Sequence, residues 1–266
     1  KLFLMNFATN TYMLIDTHSH LYVNSFRKDI ESVINRAVES GVGKIYLPAI
    51  DCAETESMLQ LEKAYPNICF AMMGLHPCSV KENVESELIH VEEWLAKRKF
   101  CAVGEIGLDF YWDKTHLEQQ YRSFRMQIEW ALHYNLPIVI HTRNAMQETI
   151  SVVNEYVSKG IRGIFHCFGD SYENARKIID MGFYLGIGGV VTYKKSGLAD
   201  VLTNIDLSHM VLETDAPYLT PEPFRGKRNE SGYLKYIVEK LSQIKDVSPA
   251  EVARITTLNA EKIFGS

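Results

Sequence analysis

Three features of the 266-residue sequence predict an α/β fold, specifically a (β/α)8 barrel with a metal site at the C-terminal mouth of its strands. Short apolar segments alternate with longer amphipathic segments along the chain. Several of the apolar segments are almost continuously hydrophobic, as expected for parallel strands buried on both faces. Side chains that can bind metal follow five of these segments, and they converge on one opening only if the sheet closes.

Eight strands are predicted, with helical periodicity between them. Residues 29–39 repeat apolar side chains on one helical face, and residues 116–133 form a second long amphipathic segment. Gly41, Gly160 and Gly182 stand where helices should end. Such repeats also fit a doubly wound sheet, and the position of the metal-binding residues favours the barrel. The predicted strands are residues 13–17, 44–49, 68–73, 101–105, 137–141, 163–166, 184–187 and 210–214.

Length and composition predict one globular domain over residues 13–266, with residues 1–12 as an N-terminal extension before Met13. The net charge of −5 argues against a surface that coats DNA broadly. Five scattered cysteines without a CxxC motif favour a reducing, cytoplasmic location. No apolar run is long enough to predict a membrane span.

Metal-binding side chains collect at the ends of the predicted strands. His18 and His20 point the same way because side chains in a strand alternate between faces. Four imidazoles and two carboxylates suit two divalent ions about 3.5–4 Å apart, which can activate a water and clamp a phosphate ester. Zinc, manganese and cobalt accept such mixed nitrogen and oxygen ligands, whereas magnesium prefers oxygen ligands. The identity of the metal is therefore left open. The candidates are Asp16, His18 and His20 at the first strand, Glu105 at the fourth, His141 at the fifth, His166 at the sixth, and Glu213 and Asp215 at the eighth.

The order of motifs resembles the TatD family of metal-dependent deoxyribonucleases, which belongs to the amidohydrolase-like metal hydrolases. The resemblance runs from Met13 to the end of the chain and departs from the family at two places. Cys78 stands where a second histidine often follows the HP pair, and Ser231 ends the triplet that the family writes as NEP. The motifs are DTHSH, GLHP, GEIGLDFYWD, IVIHTR, FHCFGD, ETDAPYLTP and FRGKRNE.

The resemblance implies a TIM barrel that binds two divalent ions. One ion would be held by His18, His20, Glu105 and Asp215, and the other by Glu105, His141 and His166, with Glu105 as the bridge. Asp215 would also handle the proton of the attacking water, so Asp215 and Glu105 are the predicted catalytic residues. His76 would contact a substrate phosphate.

Other predicted contacts lie in loops that follow the fourth and eighth strands. Arg225 and Arg228 belong to a cationic loop that could bind phosphate, although a solvated basic loop explains them equally well. Tyr111 and Trp112 could stack on a base or simply form part of the wall. Asp109 is expected to hold a ligand histidine in its tautomer.

The predicted function is metal-dependent hydrolysis of phosphodiester bonds in nucleic acid, as an exonuclease on DNA ends that are single-stranded. The acidic net charge favours a short frayed end over a duplex that lies along the surface. One alternative is a metal-dependent hydrolase of a small ester, lactone, amide or phosphate ester. A second is a metal-binding interaction protein without turnover. The sequence leaves cleavage polarity, the choice between DNA and RNA, and the oligomeric state open.

Overall fold

Eight parallel strands form the centre of the fold in the computed structural model, which describes residues 13–265. Most strand residues are apolar and buried because helices cover the outside of the sheet, whereas β5 becomes polar and more exposed toward its C-terminal end. The strands are β1 (Leu14–Asp16), β2 (Val42–Leu47), β3 (Cys69–Ala71), β4 (Val103–Asp109), β5 (Ile138–Arg143), β6 (Gly163–Phe165), β7 (Tyr184–Ile187) and β8 (Met210–Leu212).

The strands pair in sequence order around a ring. Strands β1 to β3 pair in one three-stranded sheet, and strands β4 to β8 pair in a five-stranded sheet. A parallel bridge between Met73 and Val103 joins the two sheets after β3. On the other side, Ser19 bridges to Ala216, and the backbone N–H of Thr17 donates to the carbonyl of Leu212 at 2.9 Å. These contacts link the last strand to the first, so the predicted barrel is confirmed.

Helices follow the strands, and two of them match the predicted amphipathic segments within one residue at each end. Gly41, Gly160 and Gly182 have φ angles of +89°, +88° and +82°, which confirms their position at helix ends. The helices are α1 (Ile30–Glu39), α2 (Cys52–Ala64), α3 (Val84–Lys97), α4 (Leu117–His133), α5 (Met146–Val157), α6 (Tyr172–Asp180), α7 (Leu198–Thr203), α8 (Leu234–Lys245) and α9 (Pro249–Phe264).

Strand β4 is longer than predicted and ends at Asp109 instead of Glu105. It continues because β5 pairs with it as far as Arg143, whose register partner is Asp109. Gly107 permits this close pairing, since its φ is +146° and a Cβ there would lie 2.0 Å from the carbonyl oxygen of His141. As a result, Glu105 and Asp109 both reach the open end of the barrel from one strand.

The inside of the barrel is packed at the N-terminal end of the strands. One small cluster takes a buried residue from each of β1, β2, β5, β6 and β8 and from positions next to β3 and β4, and it adds Ala260 and Ile263 of α9. The ring of Phe264 stacks on Tyr46 of β2 at 4.0 Å between centroids. The side-chain amide of Asn259 donates to the carbonyls of Leu207 and Met210, both at 2.8 Å. Helix α9 therefore covers this end, and the functional cavity opens at the other.

Residues 1–12, predicted as an extension, lie outside the described residues. From residue 13 to residue 265, the structure contains no helix with the length and apolar character needed to cross a membrane.

Candidate metal centre

The six side chains predicted as metal ligands meet at the C-terminal end of the strands. All six are buried or nearly so, although the rest of the mouth is open to solvent. Their convergence follows from the ring of strands, which brings the first and last strands together. His18 and His20 follow β1, Glu105 lies on β4, His141 lies on β5, His166 follows β6 and Asp215 follows β8.

Glu105 lies at the centre of these side chains. Its Oε2 is 3.1 Å from Nε2 of His18 and 3.4 Å from Nε2 of His20. Its Oε1 is 2.9 Å from Nδ1 of His141 and 3.1 Å from Nε2 of His166. One carboxylate oxygen thus faces each of two groups of imidazoles, which is the arrangement that a bridging ligand requires.

Asp215 completes the group around His18 and His20. Its Oδ1 lies 3.7 Å from Nε2 of each of these histidines. The backbone of Asp215 is left-handed, with φ +55°, and its N–H donates to the carbonyl of His18 at 2.9 Å. Burial raises the pKa of Asp215 to about 6.

His76 lies in the other group and not at the outer rim of the cavity. Its Nε2 is 3.3 Å from Oε1 of Glu105 and 3.3 Å from Nδ1 of His141. The sequence predicts that His76 contacts a substrate phosphate, but it does not predict that His76 lies against Glu105 and His141. The order of residues along the chain could not show it, because it depends on how the loop after β3 turns back over the barrel.

The chemistry of these donors fits divalent cations. Nε2 of His18 faces Nε2 of His20 at 3.3 Å, and the ring nitrogens of His76 and His141 face each other at the same distance. Two imidazole lone pairs directed at each other are favourable only with a proton or a cation between them. Burial, aided by the charge of His166, lowers the pKa of His18 well below its ordinary value, so its lone pair is available.

Carboxylates outside the ligand set hold the histidines in place. Oδ2 of Asp109 lies 2.8 Å from Nε2 of His141, which is the position that its predicted role requires. Oε1 of Glu213 lies 3.3 Å from Nδ1 of His166 and accepts a hydrogen bond from the N–H of Cys167 at 2.5 Å. Glu213, one of the carboxylates predicted at the end of the eighth strand, therefore lies behind His166 and outside the group of six candidate ligands.

Asp16, also found at a strand end, joins the two strands that close the barrel. Its carboxylate accepts hydrogen bonds from the backbone N–H and the hydroxyl of Thr214, at 2.9 and 2.6 Å. Burial raises the pKa of Asp16 to about 7. Asp16 therefore stabilises the β1–β8 junction beneath the candidate metal ligands, outside the ligand set itself.

A cavity of about 820 Å³ opens above the candidate ligands. Arg143, Trp112 and Tyr218 form part of its wall beside His141, His166 and Asp215. Arg143 was missed by the sequence analysis, although a signal was present. It follows His141 by two residues in the same strand, so both side chains belong to the same face.

The structure does not bring the two predicted loop arginines to the cavity wall. The guanidinium of Arg228 pairs with Asp29 at 2.6 Å and donates to the carbonyl of Ser25, so it fixes the loop to the start of α1. Arg225 lies 4.3 Å above the ring of Tyr193. Tyr111 is half exposed, and its ring supports Arg143 from outside the cavity lining.

Comparisons with known proteins identify the family and the fold of the chain. The family model described as TatD related DNase matches residues 15–265. The uncharacterized metal-dependent hydrolase YabD of Bacillus subtilis (strain 168) is 39% identical over 253 residues, which cover 95% of this chain and 99% of YabD. The crystal structure of YjjV, a TatD homolog from Escherichia coli K12, superposes with a TM-score of 0.90 at 29% identity, covering 96% of this chain and 99% of YjjV.

A relative with a more specific name is the 3′-5′ ssDNA/RNA exonuclease TatD of Erwinia tasmaniensis. It is 29% identical over 257 residues, which cover 94% of this chain and 99% of that protein. The family match over nearly the whole chain confirms the resemblance seen in the motifs. The chain therefore belongs to the TatD family of metal-dependent hydrolases.

Proposed function

We propose that this chain hydrolyses phosphodiester bonds at single-stranded ends of nucleic acid, with DNA as the principal substrate and two divalent cations as cofactors. The observation that carries the proposal is the position of Glu105, which turns one oxygen toward each group of candidate ligands. The name of the Erwinia relative, an exonuclease on single-stranded DNA and RNA, supports the choice of substrate.

The roles of the residues follow from their positions. His18, His20 and Asp215 would hold one cation and His141 and His166 the other, with Glu105 between them. Zinc, manganese or magnesium, when bound, would neutralise charge on the phosphate oxygens and lower the pKa of a water.

The carboxylate of Asp215 lines the cavity, where it can accept the proton of the attacking water. His76 also lines the cavity, beside Glu105, and can orient a phosphate oxygen or add a ligand to the second group.

The size of the cavity supports the proposal of a strand end over a duplex. A volume of about 820 Å³ accommodates a nucleotide or two, in the range typical of small-molecule sites. The chain carries a net charge of −5, so it lacks the broad excess of positive charge that a long duplex requires. We therefore expect cleavage to start from a free end.

The experiment compares the wild-type chain with Glu105→Gln and Asp215→Asn, each stripped with a chelator and reloaded with zinc, manganese or magnesium. Linear and circular single-stranded DNA are the substrates, and Glu155→Gln, in an exposed ion pair, is the matched control. We expect the wild type and the control to degrade linear DNA only with metal. The two site variants should lose at least about a hundredfold in rate. Full activity in the stripped protein or in either site variant would refute the proposal.

A second candidate function is hydrolysis of a small ester, lactone, amide or phosphate ester. The observation that favours it is that Arg225 and Arg228 do not reach the cavity, which leaves less positive charge there for a polynucleotide. A panel of lactones, amides and aryl phosphates, assayed beside the oligonucleotide, separates the two functions by the ratio of their kcat/KM values.

We also propose a cytoplasmic location. Its support is that all five cysteines have free thiols, as expected in a reducing compartment. Fractionation of the source cells, followed by detection of the chain in each fraction, tests this location.

A further inference from the structure

We propose that Arg143 and Trp112 form a subsite for the nucleotide next to the scissile bond, in which Arg143 binds the phosphate and Trp112 stacks on the base. This inference rests on the proposed function and adds specificity-determining residues to it. Neither residue belongs to the candidate ligand set.

The position of Arg143 follows from the geometry of β5. His141 and Arg143 are two residues apart in a strand, so their side chains leave the same face about 6.6 Å from one another. Both line the cavity. Arg143 would therefore lie on the solvent side of a phosphate bound beside His141. The neighbouring phosphate of the nucleic acid would lie at this position.

The guanidinium of Arg143 is held by aromatic rings and not by an acid. Its Cζ lies 3.7 Å from the ring centroid of Tyr111 and 5.2 Å from that of Trp112. Stacking uses the flat face of the guanidinium and leaves the N–H groups in its plane free to bind an oxyanion through two hydrogen bonds. Over residues 13–265, no ion pair occupies this group, in contrast to Arg36 and Arg228, which pair with acidic side chains.

Asp109 ties this subsite to the metal centre. Its Oδ2 faces Nε2 of His141, and its Oδ1 accepts hydrogen bonds from the backbone N–H groups of Tyr111 and Trp112, at 2.9 and 3.2 Å. The same carboxylate thus sets the orientation of a candidate ligand and of the aromatic turn. Because the rings of this turn contact the guanidinium of Arg143, Asp109 links the candidate ligand His141 to the surroundings of Arg143.

Trp112 is 69% exposed, although it is one of the largest apolar side chains of the chain and stands at the cavity wall. An indole in this position offers a stacking surface for a base of any identity. We therefore expect the subsite to accept all four bases, with Arg143 responding to the phosphate and Trp112 to the presence of a base.

The test separates substrates that reach the subsite from substrates that do not. The variants are Arg143→Gln, Arg143→Lys and Trp112→Ala, and Arg176→Gln in an exposed pair on α6 is the control. The substrates are a short single-stranded oligothymidylate and bis(4-nitrophenyl) phosphate, which has a scissile diester but no neighbouring phosphate. Metal content and thermal unfolding are measured on each variant to establish that the metal centre and fold are retained.

We expect Arg143→Gln to raise the KM for the oligonucleotide about 10- to 100-fold, because it loses charge-assisted hydrogen bonds to phosphate. Its kcat and KM for the small diester should stay close to those of the wild type. Arg143→Lys should recover part of the loss, and Trp112→Ala should raise the KM for the oligonucleotide alone.

Two results would overturn the subsite while the proposed function stands: an unchanged KM for the oligonucleotide in Arg143→Gln, or an equal loss on both substrates. If the wild type cleaves the small diester but no oligonucleotide, the nuclease function itself fails and the phosphate subsite fails with it.

Discussion

Replacement of Asp109 by Asn tests whether the second group of candidate ligands depends on its supporting carboxylate. The side chain is buried, and its Oδ2 lies 2.8 Å from Nε2 of His141. Burial alone would raise its pKa, but hydrogen bonds from His141 and from two backbone N–H groups hold that pKa below its usual range. Asp109 is therefore ionised at neutral pH, and the variant removes a full negative charge without changing the shape of the side chain.

The expected cost is about 10- to 100-fold in metal affinity, the usual effect of removing a partner of a ligand histidine. This corresponds to about 1.4–2.8 kcal/mol of binding free energy. If the centre holds two cations as proposed, the loss should fall on one of them, because Asp109 contacts only His141 among the candidate ligands, while His18 and His20 keep their surroundings.

The assay is a competition titration of the metal-free protein with zinc against a chromogenic chelator, which resolves two binding steps. Asp109→Asn should weaken one step and leave the other unchanged. Asp180→Asn, at an exposed ion pair on α6, is the matched control and should leave both steps unchanged. Two unaltered binding steps in Asp109→Asn would refute the reasoning, and so would an equal weakening of both.

Three further changes probe the fold around the site. Gly107→Ala should lower the free energy of unfolding by at least about 3 kcal/mol, because the new Cβ would clash with the carbonyl of His141 at a positive φ. Gly160→Ala is the control for urea unfolding, since its Cβ would meet nothing within 4 Å. A loss in Gly107→Ala no larger than the loss in this control would contradict the prediction. Arg36→Met should cost about 1–3 kcal/mol, since it leaves the buried carboxylate of Glu230 without its partner, and an unchanged urea midpoint would exclude that role. Divalent metal at about a hundred times its Kd should stabilise the metal-free protein, prepared with a chelator, by about 2.7 kcal/mol. An unchanged unfolding temperature on addition of metal would argue against a preformed metal centre.

The sequence was sufficient to predict the barrel and the convergence of the ligands, because both depend on local patterns. The six candidate ligands stand on or just after five apolar strands, and parallel strands of a closed sheet present their C-terminal ends at one mouth. A contact between Asp109 and one of the candidate ligand histidines was also predicted, but neither the choice of His141 nor the extension of β4 beyond Glu105 was. That extension depends on Gly107, whose effect becomes visible only when the backbone of β5 lies against it.

The substrate side was harder to predict because it depends on long-range pairing. Arg228 is basic and follows the last strand, but Asp29, 199 residues earlier in the chain, takes up its guanidinium. Arg143 was overlooked beside the more conspicuous histidine of its strand, and its availability follows from stacking on Tyr111. The residues next to a basic side chain in the sequence do not show whether it has an acidic partner in the folded structure.

The closure of the barrel has a consequence for the time at which activity can arise during synthesis. The candidate ligands span residues 18 to 215, so the first and the last of them are separated by almost two hundred residues of chain. A growing chain that has not yet reached β8 lacks both Asp215 and the strand that closes the ring against β1, so it cannot hold His18 beside Asp215. Capture of a cation between His18 and Asp215 is thereby expected only after the chain has been extended past β8.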